Sequence, residues 1–518
     1  MMKSYLDIHN SDKKLFFLLF LGTFLIFILT TDGHRSTFDE SLTEEQSIRI
    51  VTQNPHPLYV EGESQIRFEY PVMFPNPTGP VCQNAILCSD APIGHSLTES
   101  IFIFINHNFH FLNNASMTLD QSDFDDIHYV WWRNTYNPDV TFMEIFYGPL
   151  FTSLSVGTFF LISRSFEFSR KISSILSLIF VFSTIVWSYS QSSFNAVPMT
   201  FFILLGFLFL KRFVKVDSTL CLILSGVSLG FAFLIRLDAI LFIVLFYLYF
   251  LAIIITKNNK FKHFLSFSVP LASSYVIFLL VDFVRFGVVS RSIVSDASRL
   301  TTNNLVLPLE HLQHIFGLLL SPGLGLFIFA PICLTLFFSF PDFFRRNKID
   351  CLLFSGIFIW FLVYFAGLPS WHGLVGWGPR YLLPVIPFLI LPLGASLEKR
   401  HNLSLKISII TLCILGFFFN IVYIIQDVTW FVWGQMGDDT RGLYAIADGH
   451  PLQLNPAVMW TFQFSQLTHS IQMILVHLQI DLYFLKMLGT SLYLIVLATI
   501  TSIFGYLLFR LNQNNSSN

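Results

Sequence analysis

The chain is dominated by long apolar runs, and these constrain its fold more than any other feature. Of 518 residues, 54% are hydrophobic and 12% are charged. Many runs approach the length of about 17–25 residues that a helix needs to cross a bilayer. They lie at 15–30, 146–163, 172–189, 195–210, 218–235, 239–256, 264–281, 314–340, 351–368, 381–397, 405–425 and 487–509. The pattern predicts an all-α polytopic membrane protein with about 12 transmembrane helices, because a helix satisfies its own backbone hydrogen bonds in lipid.

Basic residues predict the orientation of these helices. Lys and Arg cluster in alternate connections, as is typical of the cytoplasmic side. The clustered residues are Lys13, Lys14, Arg164, Arg170, Lys171, Lys211, Arg212, Lys215, Lys257, Lys260, Lys262, Arg345, Arg346, Lys348, Lys399, Arg400 and Arg510. Both termini are therefore predicted to be cytoplasmic. The apolar stretch 101–112 is too short to cross and is expected to be interfacial or packed in a loop.

This topology divides the chain into segments. We expect a cytoplasmic N-terminus at 1–14, a first transmembrane helix at 15–30, an extracytoplasmic loop domain at 31–145, a transmembrane core at 146–425, a second extracytoplasmic segment at 426–486, a last transmembrane helix at 487–509 and a cytoplasmic tail at 510–518. No small-residue cleavage pattern follows the first run, which favours a signal anchor over a cleaved signal peptide. The net charge of −2 provides no reason to expect a nucleic-acid partner.

The first outer loop, 31–145, is strongly acidic. It holds 16 of the 32 Asp and Glu residues, four Arg and no Lys. A connection this long is expected to fold into a small α-rich cap and to carry function. Cys82 and Cys88 lie on the side where oxidation can occur, so a local disulfide and a pair of buried thiols both stay open.

An Asp-Glu pair stands near the start of this loop, in the stretch STFDESLTEE. One interpretation is structural, with Thr37 and Glu40 forming a capping box and Asp39 opposing the helix dipole at the start of a surface helix. The other is catalytic. Asp39 can act as a general base that takes the proton of an attacking hydroxyl at the membrane surface, with Glu40 beside it.

Cationic and aromatic residues recur at the predicted outer ends of later helices. In SWHGLVGWGPRYLLPV, Arg380 lies at the mouth of a helix with His372 and Tyr381. A guanidinium there can bind phosphate oxygens in a bidentate way, or it can reach lipid headgroups or an acid of the loop. Arg236 and Asp238 occupy a short outer turn, where they can hold a ligand or simply neutralise each other.

Two further features lie on the same predicted side. Arg285, in VDFVRFG, is another outward cation. The run SPGLGLFIFAP, 321–331, places two Gly and two Pro at the start of an apolar stretch. Such a run indicates a broken helix, which is tolerated where protein or a water-filled cavity covers the backbone.

Together these segments resemble a known family. STFDESLTEE, AFLIRLDAILF, DFVRFG, SPGLGLFIFAP and GWGPRYLLPVIPFLILPL are similar to segments of the C-type integral-membrane glycosyltransferases, which include protein mannosyltransferases and aminoarabinose transferases. The resemblance runs from about residue 15 to 430, and GWGPRYLLPVIPF is its most specific part. The chain departs from the family at Tyr147-Gly148-Pro149, where His-Pro-Pro is usual, which leaves the acceptor side of the site open.

The resemblance implies an inverting glycosyltransferase. It would move a single sugar from a polyprenyl-phosphate donor, either dolichyl- or undecaprenyl-phosphate-linked, to a protein, lipid or glycan acceptor on the extracytoplasmic side. The site residues that it implies form three groups: catalytic Asp39 and Glu40; donor-phosphate-binding Arg380, Arg236, Tyr381 and His372; and supporting Asp238 and Arg285.

Other interpretations remain open at the level of sequence. We expect no cofactor, although Asp123, Asp125, Asp126 and His128 could bind a divalent metal ion if they are not simply a solvated acidic turn. A lipid-linked sugar flippase or secondary transporter would show repeated halves and ionisable residues near the bilayer midplane. A binding protein would keep the lipid site without the base. The long loop in one half and the ionisable residues at the outer ends favour a transferase.

Overall fold

The structure, a computed structural model, describes most of the chain. The described residues are 10–34, 38–54, 59–62, 65–69, 78–89, 91–113, 137–289, 308–368, 371–373, 376–399, 403–426, 444–447, 450–454, 456–477 and 480–513. The architecture of these segments is helical, which confirms the predicted fold class.

The helices follow the apolar runs of the sequence. In chain order they are α1 Asn10–Leu29, α2 Phe38–Thr52, α3 Ile93–Phe109, α4 Pro138–Ser165, α5 Arg170–Phe182, α6 Ala196–Val216, α7 Thr219–Ile235, α8 Ile240–Ile254, α9 Lys260–Phe286, α10 Pro308–Leu320, α11 Leu326–Phe329, α12 Leu336–Arg346, α13 Lys348–Ala366, α14 Ile386–Ile390, α15 Leu393–Leu397, α16 Leu403–Ile424, α17 Pro456–Trp460, α18 Gln466–His477, α19 Tyr483–Leu488 and α20 Thr490–Gln513. Short 3₁₀ helices lie at Ser188–Gln191, Leu237–Ala239, Pro331–Thr335 and Arg380–Val385.

Eight of the described helical segments are long and apolar enough to cross a membrane. They are Pro138–Ser165, Ala196–Val216, Leu237–Ile254, Lys260–Phe286, Lys348–Ala366, Arg380–Leu397, Leu403–Ile424 and Thr490–Gln513. The protein is therefore a multi-pass membrane protein. Helices α1 and α7 also coincide with predicted spans, whereas two other predicted spans, 172–189 and 314–340, contain shorter helices. The count of about 12 stays a prediction.

The predicted run 314–340 is broken into several pieces. Helix α10 ends at Leu320, α11 begins at Leu326, and a 3₁₀ helix starts at Pro331. The break falls on the Gly- and Pro-rich stretch, where a Cβ added to Gly325 would lie 2.6 Å from the backbone nitrogen of Ser321. Pro322 and Pro331 cannot donate backbone hydrogen bonds and Gly323 and Gly325 weaken a helix, so the four residues together favour a break here.

Helix α4 starts earlier than its apolar run predicts. It begins at Pro138 instead of residue 146, because the side chain of Asn137 accepts a hydrogen bond of 3.0 Å from the backbone amide of Asp139. The helix therefore carries polar residues in its first turns, before the apolar run begins. Glu144 is one of them.

The outer loop combines helices α2 and α3 with a small sheet. Strands β1 Tyr59–Gly62, β2 Gln65–Glu69 and β3 Thr78–Cys82 are antiparallel in the order β1-β2-β3. In the second loop segment, β4 Tyr444–Ala447 pairs with β5 His450–Leu454. The chain is therefore not entirely helical, because it also contains these short strands. A disulfide joins Cys82 to Cys88, six residues apart, and thus selects the first of the two states that the sequence left open.

Two spans form the centre of the helix bundle. In the most apolar 18-residue stretch of Arg380–Leu397, 89% of the residues are buried, and in that of α4 the share is 78%. The corresponding share is 17% for both α9 and α20. Helices α9 and α20 therefore lie at the periphery of the bundle. Lys211 and Asp350, 2.8 Å apart, join α6 to α13 at one end of the bundle. The other end, where α4, α6 and Arg380–Leu397 begin, is called the site end below.

Helix α3 packs on α2, α4 and α7 at the site end. Its inner face carries buried His95 and Glu99, while Leu97, Ile101 and Phe104 are 45–57% exposed on its outer face. A helix with its polar face inward and its apolar face outward suits contact with lipid. The arrangement agrees with the interfacial segment predicted at 101–112.

Candidate functional site

Helix α2 presents several acidic side chains to the protein interior. Glu40 is 1% exposed, and Glu44 and Glu45 are also buried, together with Arg49. Burying a carboxylate costs several kcal/mol unless other groups compensate (about 3–5 kcal/mol when a partner is removed). The surface-helix interpretation of this stretch therefore fails for Glu40. The backbone of Asp39 lies in the first turn of α2, and its side chain, like the whole of Thr37, lies outside the described residues.

The acids of α2 meet a further acid on the central helix α4. Glu144 is 1% exposed and interacts electrostatically with Glu44 and Glu40. Ser193 also donates to Glu144 Oε1, at 2.9 Å. This cluster is named the acidic side of the site.

Helix α3 adds a histidine and a glutamate. His95 Nε2 lies 2.7 Å from the carbonyl oxygen of Ser193 and 3.1 Å from Glu99 Oε1, and Ser47 donates to Glu99 Oε2 at 2.8 Å. Because a carbonyl oxygen only accepts, the imidazole must carry its proton on Nε2. Burial, together with the positive charge of Arg236, lowers the pKa of His95 to about 3, so the ring is neutral at pH 7.

Two arginines form the basic side of the site around one tyrosine ring. The guanidinium carbons of Arg236 and Arg380 each lie 5.4 Å from the centre of the Tyr381 ring, which itself stacks on Phe365 at 4.3 Å. Arg380, 8% exposed, also lies 4.9 Å from the Phe194 ring. The structure thus brings together the two arginines that the sequence predicted from stretches 144 residues apart.

Arg236 has its own polar partners. Its Nε lies 2.8 Å from Asp238 Oδ1, and its Nη1 donates to Asn195 Oδ1 at 3.2 Å. The ion pair that the sequence offered as a neutralising pair is therefore formed. The pair still leaves the guanidinium at the face of Tyr381, so Arg236 belongs to the basic side with Asp238 orienting it.

Two glycines allow the chain to pass close to Arg380. Gly373 has φ +74°, and a Cβ added to it would lie 3.0 Å from Arg380 Cγ. Gly376 has φ +153°, and its Cβ would lie 2.6 Å from the Tyr189 hydroxyl. A side chain at either position would be strained and would crowd these groups. Because Gly373 and Gly376 have no side chains, the backbone of GLVGWGPR can lie directly against Arg380 and Tyr189.

His372 is neutral in this environment. Burial, and the nearby charges of Arg380 and His314, lower its pKa to about 4. At pH 7 the ring can offer a hydrogen bond but no positive charge. Its predicted part in phosphate binding is therefore that of a polar neighbour of Arg380.

Arg285 contacts helix α2. It is 2% exposed, and its Nη2 donates to Gln46 Oε1 at 3.0 Å. Arg285 and Arg49 interact electrostatically, and burial, offset by Glu45, lowers the pKa of Arg49 to about 10. The Arg49 guanidinium is therefore charged at pH 7. The predicted supporting residue belongs to the frame of the outer loop.

Tyr189 connects the two sides. It interacts electrostatically with Arg380, Arg236 and Glu40, and its hydroxyl donates to the carbonyl oxygen of Trp377 at 3.2 Å. Tyr189 also lines a small cavity of about 10 Å³, roughly the space of one water molecule. The other residues that line it are Thr152, Ser155, Val186, Val197, Thr200 and Leu383. The acidic and basic sides thus form one buried charged region at the site end.

Sequence reasoning missed several members of this region: Glu44, Glu99, Glu144, Ser193 and Tyr189. Glu144 had a usable signal, because an ionisable residue next to an apolar run is a functional-site hypothesis by default. Among the described residues, no group of three or more His, Cys, Asp or Glu has the arrangement of a metal site. Asp123, Asp125, Asp126 and His128 lie outside the described residues.

The fold and this region define a multi-pass helical membrane protein with a buried charged site at one end of its bundle. The profile of the dolichyl-phosphate-mannose-protein mannosyltransferase family matches residues 125–293. This match confirms the resemblance to the C-type glycosyltransferases and supports a glycosyltransferase that uses a lipid-phosphate-linked sugar.

Two solved structures are also similar to the chain. One is ArnT from Cupriavidus metallidurans bound to undecaprenyl phosphate, at 13% identity and a TM-score of 0.48, covering 96% of this chain and 76% of that chain. The other is the apo state of the same protein, at 13% identity and a TM-score of 0.44, covering 96% and 75%. Among curated proteins, none matches this chain in sequence.

Proposed function

We propose that this protein is an inverting glycosyltransferase that moves a single sugar from a polyprenyl-phosphate donor to an acceptor on the extracytoplasmic side of the membrane. The observation that carries the proposal is a pair of contacts two residues apart: Ser193 donates to Glu144 at 2.9 Å, and Asn195 accepts from Arg236 at 3.2 Å. The acidic side and the Arg236–Tyr381–Arg380 group therefore belong to one buried region. A base and a phosphate-binding pair are the two elements that this reaction needs.

In the proposed reaction, the donor phosphate binds between Arg236 and Arg380, with its polyprenyl tail in the surrounding lipid. Asp39, with Glu40 beside it, takes the proton of the acceptor hydroxyl. The acceptor oxygen forms a bond to the anomeric carbon as the bond from that carbon to the phosphate oxygen breaks. Polyprenyl phosphate leaves with the electron pair of the broken bond. A single displacement of this kind inverts the anomeric centre.

The arginines stabilise the transition state more than the bound donor. Negative charge on the leaving phosphate grows as the glycosidic bond breaks, and guanidinium groups already held at Tyr381 need little reorganisation to meet it. Asp238 and Asn195 orient Arg236, and Phe194 supports Arg380. His372 would contribute a hydrogen bond without charge.

The positive-inside pattern supports the proposed side. Lys211 and Lys215 lie in the last turns of α6, at the Lys211–Asp350 end of the bundle and opposite the site end. With that end in the cytoplasm, the site faces the extracytoplasmic surface and both termini are cytoplasmic. The sugar and the acceptor are chosen by the outer loops, and the reaction is proposed to run without a metal cofactor.

The test uses purified protein in detergent with radiolabelled undecaprenyl- and dolichyl-phosphate hexoses and pentoses. Release of free polyprenyl phosphate, by transfer or slow hydrolysis, supports the proposal if it is lost in Arg380→Gln and kept in Arg345→Gln, an exposed arginine on α12 at the opposite end. Binding of the donor without release would indicate a binding protein. Movement of the donor across liposomes without release would indicate a flippase. Either result overturns the proposal.

A further inference from the structure

A short loop touches both sides of the site. Residues 192–195 connect the 3₁₀ helix Ser188–Gln191 to α6. Ser193 donates to Glu144 through its hydroxyl at 2.9 Å and accepts from His95 through its carbonyl at 2.7 Å. The next two residues contact the basic side. The Phe194 ring lies 4.9 Å from the Arg380 guanidinium carbon, and Asn195 accepts from Arg236 at 3.2 Å.

We infer that this loop, Ser193-Phe194-Asn195, is a positioning element that sets the acidic and basic sides of the site in register. The inference rests on the proposed function for its catalytic meaning. None of the three residues needs to touch the reacting atoms. Ser193 acts through Glu144, Phe194 through Arg380, and Asn195 through Arg236.

The basic side needs such support because it brings two like charges together. The guanidinium carbons of Arg236 and Arg380 each lie 5.4 Å from the centre of the Tyr381 ring, so the two charges are no more than twice that distance apart. Phe194 places a second aromatic face on Arg380, and a cation between two faces is held more firmly than one on a single face. Asn195 and Asp238 fix Arg236 at two points.

The loop is itself held firmly. The carbonyl oxygens of Phe194 and Asn195 accept from the amides of Val197 and Met199 at 3.0 and 3.2 Å, which fixes the loop to the first turn of α6. On its other flank, Gly148 of the central helix allows close approach. A Cβ there would lie 2.4 Å from the carbonyl oxygen of Ser190 and 2.7 Å from that of Ser192. The loop therefore moves with α4 and α6 as one body.

Ser193, Phe194 and Asn195 each contact a different partner. A single backbone segment therefore sets the spacing between Glu144 and the two arginines. A one-residue displacement would misplace all of these contacts together. Loop residues that a rigid scaffold holds in this way are suited to set the geometry of a site.

The test measures undecaprenyl phosphate affinity and donor turnover separately in loop variants. Phe194→Leu removes the ring at similar volume and should weaken undecaprenyl phosphate binding about tenfold, whereas Phe194→Tyr keeps the ring and should retain it. Asn195→Ala should weaken binding about tenfold or more, as expected for loss of one hydrogen bond to a charged group. Ser193→Ala should lower turnover and leave this affinity within about twofold, because it acts on the acidic side.

Phe267→Leu is the matched control. It removes an equally buried ring of α9 that packs on Phe250 at 4.5 Å, and it should leave affinity and turnover unchanged. The inference is overturned if Phe194→Leu behaves like this control, or if Phe194→Tyr loses affinity as Phe194→Leu does. It is also overturned if Ser193→Ala and Phe194→Leu impair the same parameter.

A second measurement keeps the inference separate from the proposed function. Phenylglyoxal modifies accessible guanidinium groups, and mass spectrometry locates the modified residue. Arg380 should be protected in wild-type protein and become reactive in Phe194→Leu, with Phe194→Tyr still protected. If wild-type protein binds no undecaprenyl phosphate, the proposed function fails. The phenylglyoxal reactivity of Arg380 still tests whether the loop positions that residue. Equal reactivity of Arg380 in all three proteins refutes the positioning role.

Discussion

Removal of the Arg380 charge should lower the activity of the protein strongly without a matching loss of stability. In Arg380→Gln, a buried guanidinium that lies between Phe194 and Tyr381 is replaced by a neutral amide of similar reach. Arg236 and Arg380 lie no more than twice 5.4 Å apart, because both guanidinium carbons are at that distance from one ring centre. At an effective dielectric constant of about 20, two like charges at that separation repel by about 1.5 kcal/mol. Asp238 offsets part of this repulsion.

A bound phosphate converts this repulsion into attraction. A hydrogen bond to a charged group is worth about 1.5–3 kcal/mol, and a bidentate contact makes two. Loss of the Arg380 contact should therefore cost about 3 kcal/mol of transition-state stabilisation, a factor of about 160 in kcat/KM for the donor. Arg380→Lys keeps the charge without the planar fork and should lose about tenfold.

The assay is release of labelled sugar from the polyprenyl-phosphate donor that wild-type protein accepts, with thermal unfolding in detergent measured in parallel. Arg380→Gln should unfold within a few degrees of wild-type protein, because the lost repulsion from Arg236 and the lost cation–π contacts with Phe194 and Tyr381 are of similar size. A kcat/KM within about threefold of wild type would refute the assignment of Arg380. A large fall in unfolding temperature would refute the balance of these two contributions.

Three further predictions concern the acidic side and the outer loop. Asp39→Asn should slow turnover at least about a hundredfold with undecaprenyl phosphate affinity unchanged, measured by initial rates and by binding; near-normal turnover would remove Asp39 from the role of base. The folded-state pKa of His95 is about 3, below its unfolded value of about 6.5, so the stability held by the neutral ring is complete above pH 6.5 and is lost as pH falls towards 3. Lowering the pH from 7 to 4.5 should therefore destabilise wild-type protein by roughly 2–3 kcal/mol more than His95→Gln, as measured by thermal unfolding in detergent, and parallel pH curves for the two proteins would contradict this. Replacing Cys82 and Cys88 by Ser should cost about 2 kcal/mol of stability for so short a loop, seen as a lower unfolding temperature that a reducing agent reproduces in wild-type protein but not in the variant. An unfolding temperature that is insensitive to both changes would show that the disulfide does not constrain the loop.

The sequence by itself determined the class of fold, and it identified the two arginines that the structure brings together on the basic side. Apolar runs of spanning length form helices in lipid, and the two Gly and two Pro at 321–331 favour a break in one of them. Arg236 and Arg380 were identifiable because a guanidinium at the end of a span needs a reason to be there. The match of a mannosyltransferase family profile agrees with the resemblance that those segments carry.

The acidic side depended on tertiary structure. Glu40 was ambiguous in sequence, since the same residue types begin a surface helix or face a site, and only packing of α2 on α3 and α4 buries it. Glu144 and Ser193 are 49 residues apart, and their contact exists because α4 and the loop before α6 are neighbours in the bundle. Periodicity reports which face of a helix is apolar. It does not report which distant polar groups that helix will meet, because those contacts depend on how the helices pack together.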